Sequence, residues 1–516
     1  MVDPMKRYIC LIRSIFGPDE GQLKGYPGHP EIELALLRFY TATGHRESYD
    51  LAKYFLCERG NEMGQDGKHY YTYEEEKRGD SPWKRPEPFP ENRAYWYSQA
   101  HLPIKKQPTI EGHSVRAMYL LTAVADLVAL SSTKPTELDA SDVDEWMSAL
   151  RRLWANMVDK KMYITGGIGA IKQWEGFGID YFLPQGTDEG GCYAETCASI
   201  AVMMFAERLL HLELDRQYSD IMELSLYNNI MTAMSTDGKK FTYENQLAST
   251  DKDKSMRHDW FWCACCPPNV TRLYGSIGGY LWDHGTNNDE AFVNVHMYTN
   301  AELSFQTKDG VTAKIRQESN WPWEGKVSFS LEATDSKPAV TLRLRLPAWS
   351  DNSYILNPTP QSNTTRIEKG YLVLDAAYVV ANPNFSLDIK GFEPRYISPH
   401  PHTNQRTLAL ARGPIVYCAE DVDNDWETNH FKDVVLKMDS MVTEANRTDE
   451  ATGEQYVELR TNCWTRSAER PIDETRSPRE LVLVPYYFRG NRGGRGHMRV
   501  GMVNGSPGLG KVFPEK

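Results

Sequence analysis

The sequence predicts a multidomain protein of the α plus β class, with a helical first half and a β-rich second half. Its 516 residues are the length of roughly three domains at about 150 residues each. Apolar residues recur every three or four positions up to about residue 285, and at every second position after about residue 286. A composition of 41% hydrophobic and 25% charged residues excludes a disordered chain.

The helical half consists of amphipathic segments joined by short turns. Pro30 opens a helix that Gly44 ends, and a second helix runs to Gly60. The run 113–130 has the clearest apolar face. Further helices are predicted in DVDEWMSALRRLWANMV, ETCASIAVMMFAERLLHL and DIMELSLYNNIMTAMS, and Asn269 is predicted to be the N-cap of a last one.

A long stretch without helical periodicity, about 61–112, separates the second and third helices. It is rich in proline and carries the aromatic residues Trp83, Tyr95, Trp96 and Tyr97. A connection of this length is usually functional or disordered. Its aromatic side chains favour an ordered loop over a pocket.

The second half alternates apolar and polar residues, as in Val293, Val295 and Met297, and strand segments are separated by Asn, Pro, Gly and Asp turns. This pattern is typical of antiparallel β-sandwiches. We predict a helical domain over 1–285, β-sandwich domains over 286–385 and 386–490, and a C-terminal segment, 491–516, that returns to the first sandwich.

The charge balance narrows the range of partners. With 58 basic and 70 acidic residues the net charge is −12, which argues against general binding to nucleic acid or to an anionic membrane. No window approaches about 18 consecutive apolar residues, and Arg13 interrupts the apolar patch at the N-terminus. We therefore expect a cytoplasmic protein with neither nucleic-acid nor membrane partners.

Five of the nine cysteines lie between residues 192 and 266. Two short segments, YAETC (193–197) and CACCPPN (263–269), offer Glu195, Cys197, Cys265 and Cys266, which could form a tetrahedral zinc site if the segments meet in space. The alternative is that cysteines are small buried hydrophobic residues. We adopt that alternative for the isolated cysteines at positions 10, 57, 418 and 463, whereas packing does not explain two adjacent cysteines before Pro-Pro-Asn.

A zinc ion with four protein ligands is usually structural. Acidic residues precede this cluster in a glycine-rich stretch, however, and an acid beside an activated thiolate is an arrangement that hydrolases use. The acidic candidates are Glu175, Asp180, Asp188 and Glu189.

Five segments resemble those of the family 127 glycoside hydrolases, the β-L-arabinofuranosidases. They are GYPGHPEIELAL (25–36), EGHSVRAMYLL (111–121), MYITGGIGA (162–170), YAETCASIA (193–201) and CACCPPN (263–269). The resemblance runs from about residue 22 to about residue 500. It implies a catalytic (α/α)6 barrel, two β-sandwich domains and a retaining mechanism in which a zinc-bound cysteine attacks the anomeric carbon. We count about seven helical segments where a closed barrel needs twelve, so the predicted barrel can be incomplete on its N-terminal side.

The resemblance also implies a role for individual residues. Cys265 matches the nucleophile, Glu195, Cys197 and Cys266 complete the zinc site, and Glu175 matches the general acid/base. His29, His113 and Tyr243 match residues that contact the sugar. Asp180, Asp188 and Glu189 stay open as alternatives for the acid, and without the family each histidine would be interpreted as a helix-terminal or core residue.

The leading hypothesis is a retaining exo-glycosidase that uses zinc and removes terminal β-L-arabinofuranosyl residues from an oligosaccharide or glycoconjugate. A homodimer is one assembly it could form. The competing hypothesis is a non-catalytic, zinc-stabilised carbohydrate-binding protein, or an N-terminally truncated and inactive relative.

Overall fold

A computed structural model describes residues 1–80, 95–133, 138–287, 290–307, 310–333, 339–360, 364–466 and 477–516. Trp83 and the prolines around it lie outside the described residues. The chain divides into two compact units, which are described separately. The first unit comprises residues 1–162 and 168–183, and the second comprises residues 163–167 and 184–516.

The first unit is helical. Its α-helices, in the part of the chain that the structure describes, are α1 (Val2–Ile15), α2 (Ile32–Thr43), α3 (Arg46–Glu58), α4 (Tyr70–Arg78), α5 (Ser114–Thr133) and α6 (Ala140–Lys160). The helix boundary predicted at Gly44 is confirmed, because Gly44 caps α2 in the left-handed conformation with φ 68°. Side chains of α2, α3 and α5 form much of the core of this unit.

Two of these helices were not predicted from periodicity. Helix α1 lies in a segment that was interpreted only as an apolar patch, and α4 interrupts the stretch 61–112 that was predicted to be a loop. Helix α4 has the polar sequence YYTYEEEKR and buries only Tyr70 and Glu75. A helix that buries so few side chains leaves no apolar period in its sequence.

Among the described residues, one helix window is long and apolar enough to span a membrane by length and composition alone, although it contains no run of about 18 consecutive apolar residues. It covers Ser114–Ser131, with a mean hydropathy of 1.4, and 78% of it is buried inside the protein. Core helices of globular proteins pass the same test, so this window is weak evidence for a membrane span.

A fully buried ion pair organises the first unit. Arg59 donates hydrogen bonds to Glu33 Oε1 at 2.9 Å, to the carbonyl oxygen of Pro27 at 2.8 Å and to that of Ser98 at 2.9 Å. Both charged side chains are 0% exposed. The guanidinium therefore fastens α2 to two loop segments, one of which leads directly to His29.

Replacing Arg59 by methionine is expected to lower the free energy of unfolding by about 3–5 kcal/mol, because Glu33 would remain buried without its cation. Urea or thermal denaturation measures this loss. Arg46→Met is the matched control, since Arg46 begins the helix that Arg59 caps at its C-terminus but pairs with Asp50 at the surface, where a pair contributes about 0.2–1 kcal/mol. Equal losses for the two variants would contradict the structural role of Arg59.

The second unit contains helices and all the described strands. Its α-helices, within the described ranges, are α7 (Thr196–Leu212), α8 (Arg216–Leu224), α9 (Cys266–Gly275), α10 (Gly278–Leu281) and α11 (Ala376–Ala381). Helix α8 continues into a π-helical turn over Ser225–Ile230. Helices α7 and α9 are in contact with each other.

Residues 282–389 form two sheets, each of five strands among the residues described. The strands are β1 (Trp282–Asn287), β2 (Glu290–Val295), β3 (Ala301–Gln306), β4 (Thr312–Ser319), β5 (Lys326–Ala333), β6 (Val340–Arg345), β7 (Tyr354–Asn357), β8 (Thr365–Glu368), β9 (Tyr371–Leu374) and β10 (Asn384–Ile389). Their orders are β1-β2-β6-β9-β8 and β3-β4-β5-β10-β7. Except for the parallel β2–β6 pair, neighbouring strands are antiparallel. Val293, Val295 and Met297 are buried, as the alternation predicts.

The remaining strands form one ten-stranded sheet in the described residues. They are β11 (Arg395–Ser398), β12 (Thr407–Arg412), β13 (Ile415–Glu420), β14 (Val434–Leu436), β15 (Val442–Thr448), β16 (Gln455–Thr465), β17 (Arg479–Pro485), β18 (Met498–Arg499), β19 (Met502–Asn504) and β20 (Lys511–Val512). The pairing of β12 with β13 closes a ring of six strands, β13-β17-β16-β14-β19-β12. A β-sandwich with two separate sheets was predicted for this part of the chain. A closed ring of strands has fewer unpaired edges than two separate sheets.

The C-terminal segment corrects one prediction. Strands β18, β19 and β20 pair with β13, with β12 and β14, and with β11, so the segment belongs to the last sheet and does not return to the first sandwich. The predicted boundary at residue 386 also falls inside β10, which pairs with β5 and β7. Period-two patterns identify strands but carry no information about their partners.

Candidate active site

Two helix N-termini in the second unit carry the four predicted ligands. Glu195 is the N-cap of α7, with Cys197 in its first turn, and Cys265 is the N-cap of α9, which begins at Cys266. The predicted N-cap at Asn269 is therefore wrong by four residues. Prolines fit the first turn of a helix because the backbone N–H groups there have no intrahelical acceptor, so the helix begins before the Pro-Pro pair.

The four predicted ligands come together. One ligand atom from each of Glu195, Cys197, Cys265 and Cys266 lies within 4.8 Å of all the others. The Sγ atom of Cys266 is 3.4 Å from that of Cys197 and 3.8 Å from that of Cys265. The Glu195 Oε1 atom is 3.6 Å from the sulfur of Cys265 and 3.9 Å from that of Cys266. We call this set the thiolate cluster.

These spacings fit a tetrahedral zinc ion. With zinc–sulfur bonds of about 2.3 Å and zinc–oxygen bonds of about 2.0–2.2 Å, the tetrahedron edges are about 3.8 Å between sulfurs and about 3.6 Å between sulfur and oxygen. The four distances given above, 3.4–3.9 Å, are within about 0.4 Å of those edges. Three thiols and a carboxylate are a donor set that suits a divalent metal ion.

Cys265 differs from the other two thiols in its exposure. Its side chain is exposed, whereas Cys197 and Cys266 are buried. Hydrogen bonds from Cys197, Cys266 and Tyr243 lower the pKa of Cys265 well below its usual value. Burial raises the pKa of Cys266. The reactive form of cysteine is the thiolate, and the exposed member of the cluster is the one whose pKa these hydrogen bonds lower.

Tyr243 lies against the same sulfur. Its hydroxyl oxygen is 3.2 Å from Cys265 Sγ, and burial and the charge of Glu195 raise its pKa, so it stays protonated. The backbone N–H of Thr196 donates to the carbonyl oxygen of Tyr243 at 3.0 Å, and the Asn245 side chain donates to that of Ala194 at 2.9 Å. These bonds fix the tyrosine segment to the start of α7.

The backbone that leads into the cluster is strained. Cys192 and Ala194 have φ values of 106° and 42°, in the region that favours glycine. Such conformations persist only where the surrounding structure holds them, and they concentrate at functional sites.

The first unit holds a second group of predicted residues. His113 Nε2 is 2.9 Å from Glu175 Oε2, and the Glu175 side chain is 41% exposed. Glu175 itself has φ 54°, and its carbonyl oxygen accepts hydrogen bonds from the N–H and the hydroxyl of Ser114. The carboxylate is thus held in a fixed position and remains open to solvent.

His29 belongs to the same group. Burial, with the positive charges of Arg116 and His113, lowers the pKa of His29 to about 4, so its imidazole is neutral at pH 7. Arg116 donates to the carbonyl oxygen of Gly28 and lies over the ring of Tyr97, whose edge meets His113. A neutral imidazole can both donate and accept hydrogen bonds, as sugar hydroxyls require.

The three alternative acids form ion pairs with basic side chains. Asp180 contacts Lys160 at 2.8 Å, Asp188 contacts Lys432, and Glu189 contacts Arg499 at 2.6 Å. Burial opposes ionisation of Asp180, but hydrogen bonds from Lys160 and Asn156 lower its pKa. A carboxylate that is held ionised is a poor proton donor.

The structure therefore places the predicted residues in two groups, one in each unit. His29, His113 and Glu175 form the first, and Tyr243 joins the thiolate cluster in the second. Sequence reasoning did not single out Ser114 or Arg116, which hold Glu175 and the His29 segment. Their only signal was their place beside His113 in EGHSVR.

The remaining cysteines were predicted to be buried packing residues. Cys418 and Cys463 are buried, as predicted. Cys10 and Cys57 are exposed, so the prediction was wrong for both. Each lies on an amphipathic helix, where a single apolar context does not tell which face reaches solvent.

Three family models match successive parts of the chain. They are "Beta-L-arabinofuranosidase, GH127 catalytic domain" over residues 1–279, "Beta-L-arabinofuranosidase, GH127 middle domain" over 292–379, and "Glycoside hydrolase family 127 C-terminal domain" over 394–502. The first match begins at residue 1, upstream of the start of the resemblance described above.

Individual relatives agree with these matches. A non-reducing end β-L-arabinofuranosidase of Bifidobacterium longum subsp. longum is 34% identical over 523 residues, which cover 96% of this chain and 74% of the relative. The crystal structure of a GH127 β-L-arabinofuranosidase from Geobacillus stearothermophilus T6 has a TM-score of 0.81 at 34% identity, covering 98% and 76% of the two chains. A further GH127 β-arabinofuranosidase has a TM-score of 0.75 at 28% identity, covering 96% and 72%.

Proposed function

Because the chain belongs to glycoside hydrolase family 127, we propose that this glycoside hydrolase is a retaining exo-enzyme that removes terminal β-L-arabinofuranosyl residues. The proposed substrate is an oligosaccharide or glycoconjugate that ends in this sugar. Support for the substrate comes from the relatives that carry this activity in their names. Support for the mechanism comes from one observation: in the thiolate cluster, Cys265 alone has an exposed side chain.

Zinc is the proposed cofactor, held by Glu195, Cys197, Cys265 and Cys266. When bound, it would offset the negative charge of the cluster and keep the thiols deprotonated at neutral pH. The positive ends of the α7 and α9 dipoles act in the same direction. The thiolate of Cys265 is then available as a nucleophile without a separate base.

The reaction proceeds in two displacements at the anomeric carbon. In the first, the Cys265 thiolate forms a carbon–sulfur bond while the bond to the leaving oxygen breaks and Glu175 gives that oxygen its proton. In the second, the Glu175 carboxylate takes a proton from water, the water oxygen attacks the same carbon, and Cys265 leaves as a thiolate. Two inversions retain the configuration, as in carboxylate-based retaining enzymes.

The other predicted residues position the sugar. We propose that neutral His29, together with His113, hydrogen-bonds to sugar hydroxyls, and that His113 also orients Glu175 through their 2.9 Å contact. The Tyr243 hydroxyl donates a hydrogen bond to the Cys265 thiolate and holds the sulfur in place. The ion pairs of Asp180, Asp188 and Glu189 support Glu175 as the acid.

The direct test is hydrolysis of an aryl β-L-arabinofuranoside by the purified, zinc-loaded protein, with the first-formed anomer identified by NMR. The proposal predicts that the β-anomer appears first. An α-anomer would contradict retention. Binding of arabinofuranosides without any turnover would favour the non-catalytic alternative, a zinc-stabilised carbohydrate-binding protein or inactive relative.

Glu175→Gln is expected to lower kcat/KM by about 10²–10⁴-fold, the usual contribution of a positioned acid or base. The loss should be smaller on aryl glycosides with highly acidic phenols, because such leaving groups depart without a proton. Steady-state rates on a series of aryl glycosides measure this difference. Asp180→Asn is the matched control, expected to affect stability more than kcat/KM, and the reverse order of effects would identify Asp180 as the acid.

Three further proposals concern the type of helical fold, the cellular location and the oligomeric state. We propose that the helical part is of the (α/α)6 type and that the protein acts in the cytoplasm. A homodimer remains the assembly to test by light scattering.

A further inference from the structure

A second cluster of metal-ligating side chains lies in the second unit and shares no residue with the thiolate cluster. It consists of Asp251, His430 and His497, and one ligand atom from each lies within 4.8 Å of the other two. His430 Nε2 is 3.1 Å from Asp251 Oδ1. The two imidazole rings stack with their centroids 3.8 Å apart and their planes at 26°. Two imidazoles and a carboxylate are a donor set typical of zinc and neighbouring divalent transition metals.

The second nitrogen of each ring is already engaged by the protein. His430 Nδ1 is 2.7 Å from the hydroxyl of Ser249, and His497 Nδ1 is 2.8 Å from Glu427 Oε2. Metal-binding histidines characteristically give their other ring N–H to such an acceptor, which fixes the tautomer and the ring orientation. The remaining nitrogen of His497 is Nε2, and that of His430, also Nε2, faces Asp251 Oδ1 at 3.1 Å, a separation that a shared metal ion can bridge.

Glu427 holds the loop around Phe431 as well as the ring of His497. Its Oε1 atom accepts the N–H of Phe431 at 2.7 Å, while Oε2 holds His497. His430 and Phe431 have φ values of 49° and 58°, so two successive non-glycine residues are left-handed. This strain costs stability, and it directs the His430 ring toward His497 and Asp251.

The cluster is closed on one side and open on the other. His430 is 4% exposed, whereas the side chain of Asp251 is 94% exposed. The imidazoles thus form the buried side of the cluster, and they would turn from their stacked arrangement to direct their nitrogens at one ion. Water can complete the coordination from the open side. An ion bound here exchanges more readily than one enclosed by buried thiols.

We propose that Asp251, His430 and His497 bind a divalent transition-metal ion of the zinc type at a second, exchangeable site. The ion would join three segments that are distant in sequence, around residues 251, 430 and 497. The first of these follows the segment that carries Tyr243, and Ser249 is already bonded to Met498 in β18. The site would therefore fasten this loop to the last sheet.

The test measures the binding of Zn²⁺ to metal-free full-length protein by equilibrium dialysis and by calorimetry. Wild type is expected to bind about two ions per chain, one resistant to a mild chelator and one removed by it. Asp251→Asn and His497→Gln should lose the chelator-sensitive ion, while the resistant ion and hydrolase activity stay unchanged. Asp251 is exposed, so its variant tests the site even if His497→Gln folds poorly.

Two further variants sharpen the result. Glu427→Gln should weaken binding of the exchangeable ion by about 10–100-fold, the usual effect of losing the partner of a ligating histidine. His402→Gln, at an exposed histidine whose ring faces His400, is the matched control and should bind two ions. A wild type that binds one ion, or an Asp251→Asn variant that still binds two with unchanged affinity, would overturn the proposal.

Discussion

Replacing Cys265 by serine is expected to lower kcat/KM by about four orders of magnitude, which corresponds to ~5.4 kcal/mol of lost transition-state stabilisation. A serine hydroxyl stays protonated at neutral pH and attacks the anomeric carbon poorly, although it keeps the size and position of the thiol. Rates on an aryl β-L-arabinofuranoside measure the loss, and elemental analysis of the same sample separates loss of the nucleophile from loss of zinc.

Cys263→Ser is the matched control for this variant. Cys263 lies two residues upstream in the same segment, is also exposed, and is not part of the thiolate cluster. It should keep most of the activity. Brief alkylation with iodoacetamide should modify Cys265 first among the cluster thiols, because the other two are buried. Activity of Cys265→Ser close to that of wild type would refute the nucleophile assignment.

In Cys197→Ala the content of zinc that resists a mild chelator is expected to fall from about one ion per chain to nearly none. Hydrolase activity should be lost together with this ion. The site joins α7 to α9, whose ligands are about 70 residues apart in sequence. An ion present at 1,000 times its Kd stabilises the folded state by about 4 kcal/mol, and this contribution would disappear. Thermal unfolding and elemental analysis of the dialysed protein measure both effects.

Cys463→Ala controls for the removal of a buried sulfur as such, since Cys463 is buried in β16 and outside the cluster. The free energy of unfolding of this variant should fall by about 1 kcal/mol, and the variant should keep its zinc. In wild type the zinc affinity should fall as the pH drops, because protons compete with the metal for the thiolates. A metal-free preparation with unchanged melting temperature and full activity would contradict the zinc site.

Local sequence determined much of the architecture. Periodicity identified the helices that bury a broad apolar face and the change to strands near residue 285, because a helix face or a strand face repeats within a few residues. It missed α1 and α4, and it could not pair the C-terminal strands. Strand β20 has only two residues, too few for a pattern that specifies a partner. Its partner depends on which strand edge of the folded sheet is unpaired.

The features of the candidate site also divide into those that the sequence determined and those that the tertiary structure decided. The sequence by itself determined the residue types: a carboxylate and four cysteines in two short segments, and acidic residues in the glycine-rich stretch that precedes them. Only the tertiary structure decided that Cys265 is the exposed thiol of the thiolate cluster, that Asp180, Asp188 and Glu189 pair with basic side chains, and that His430 and His497 stack. Exposure, ion pairing and ring stacking depend on residues tens to hundreds of positions apart, which packing brings together and no local pattern records.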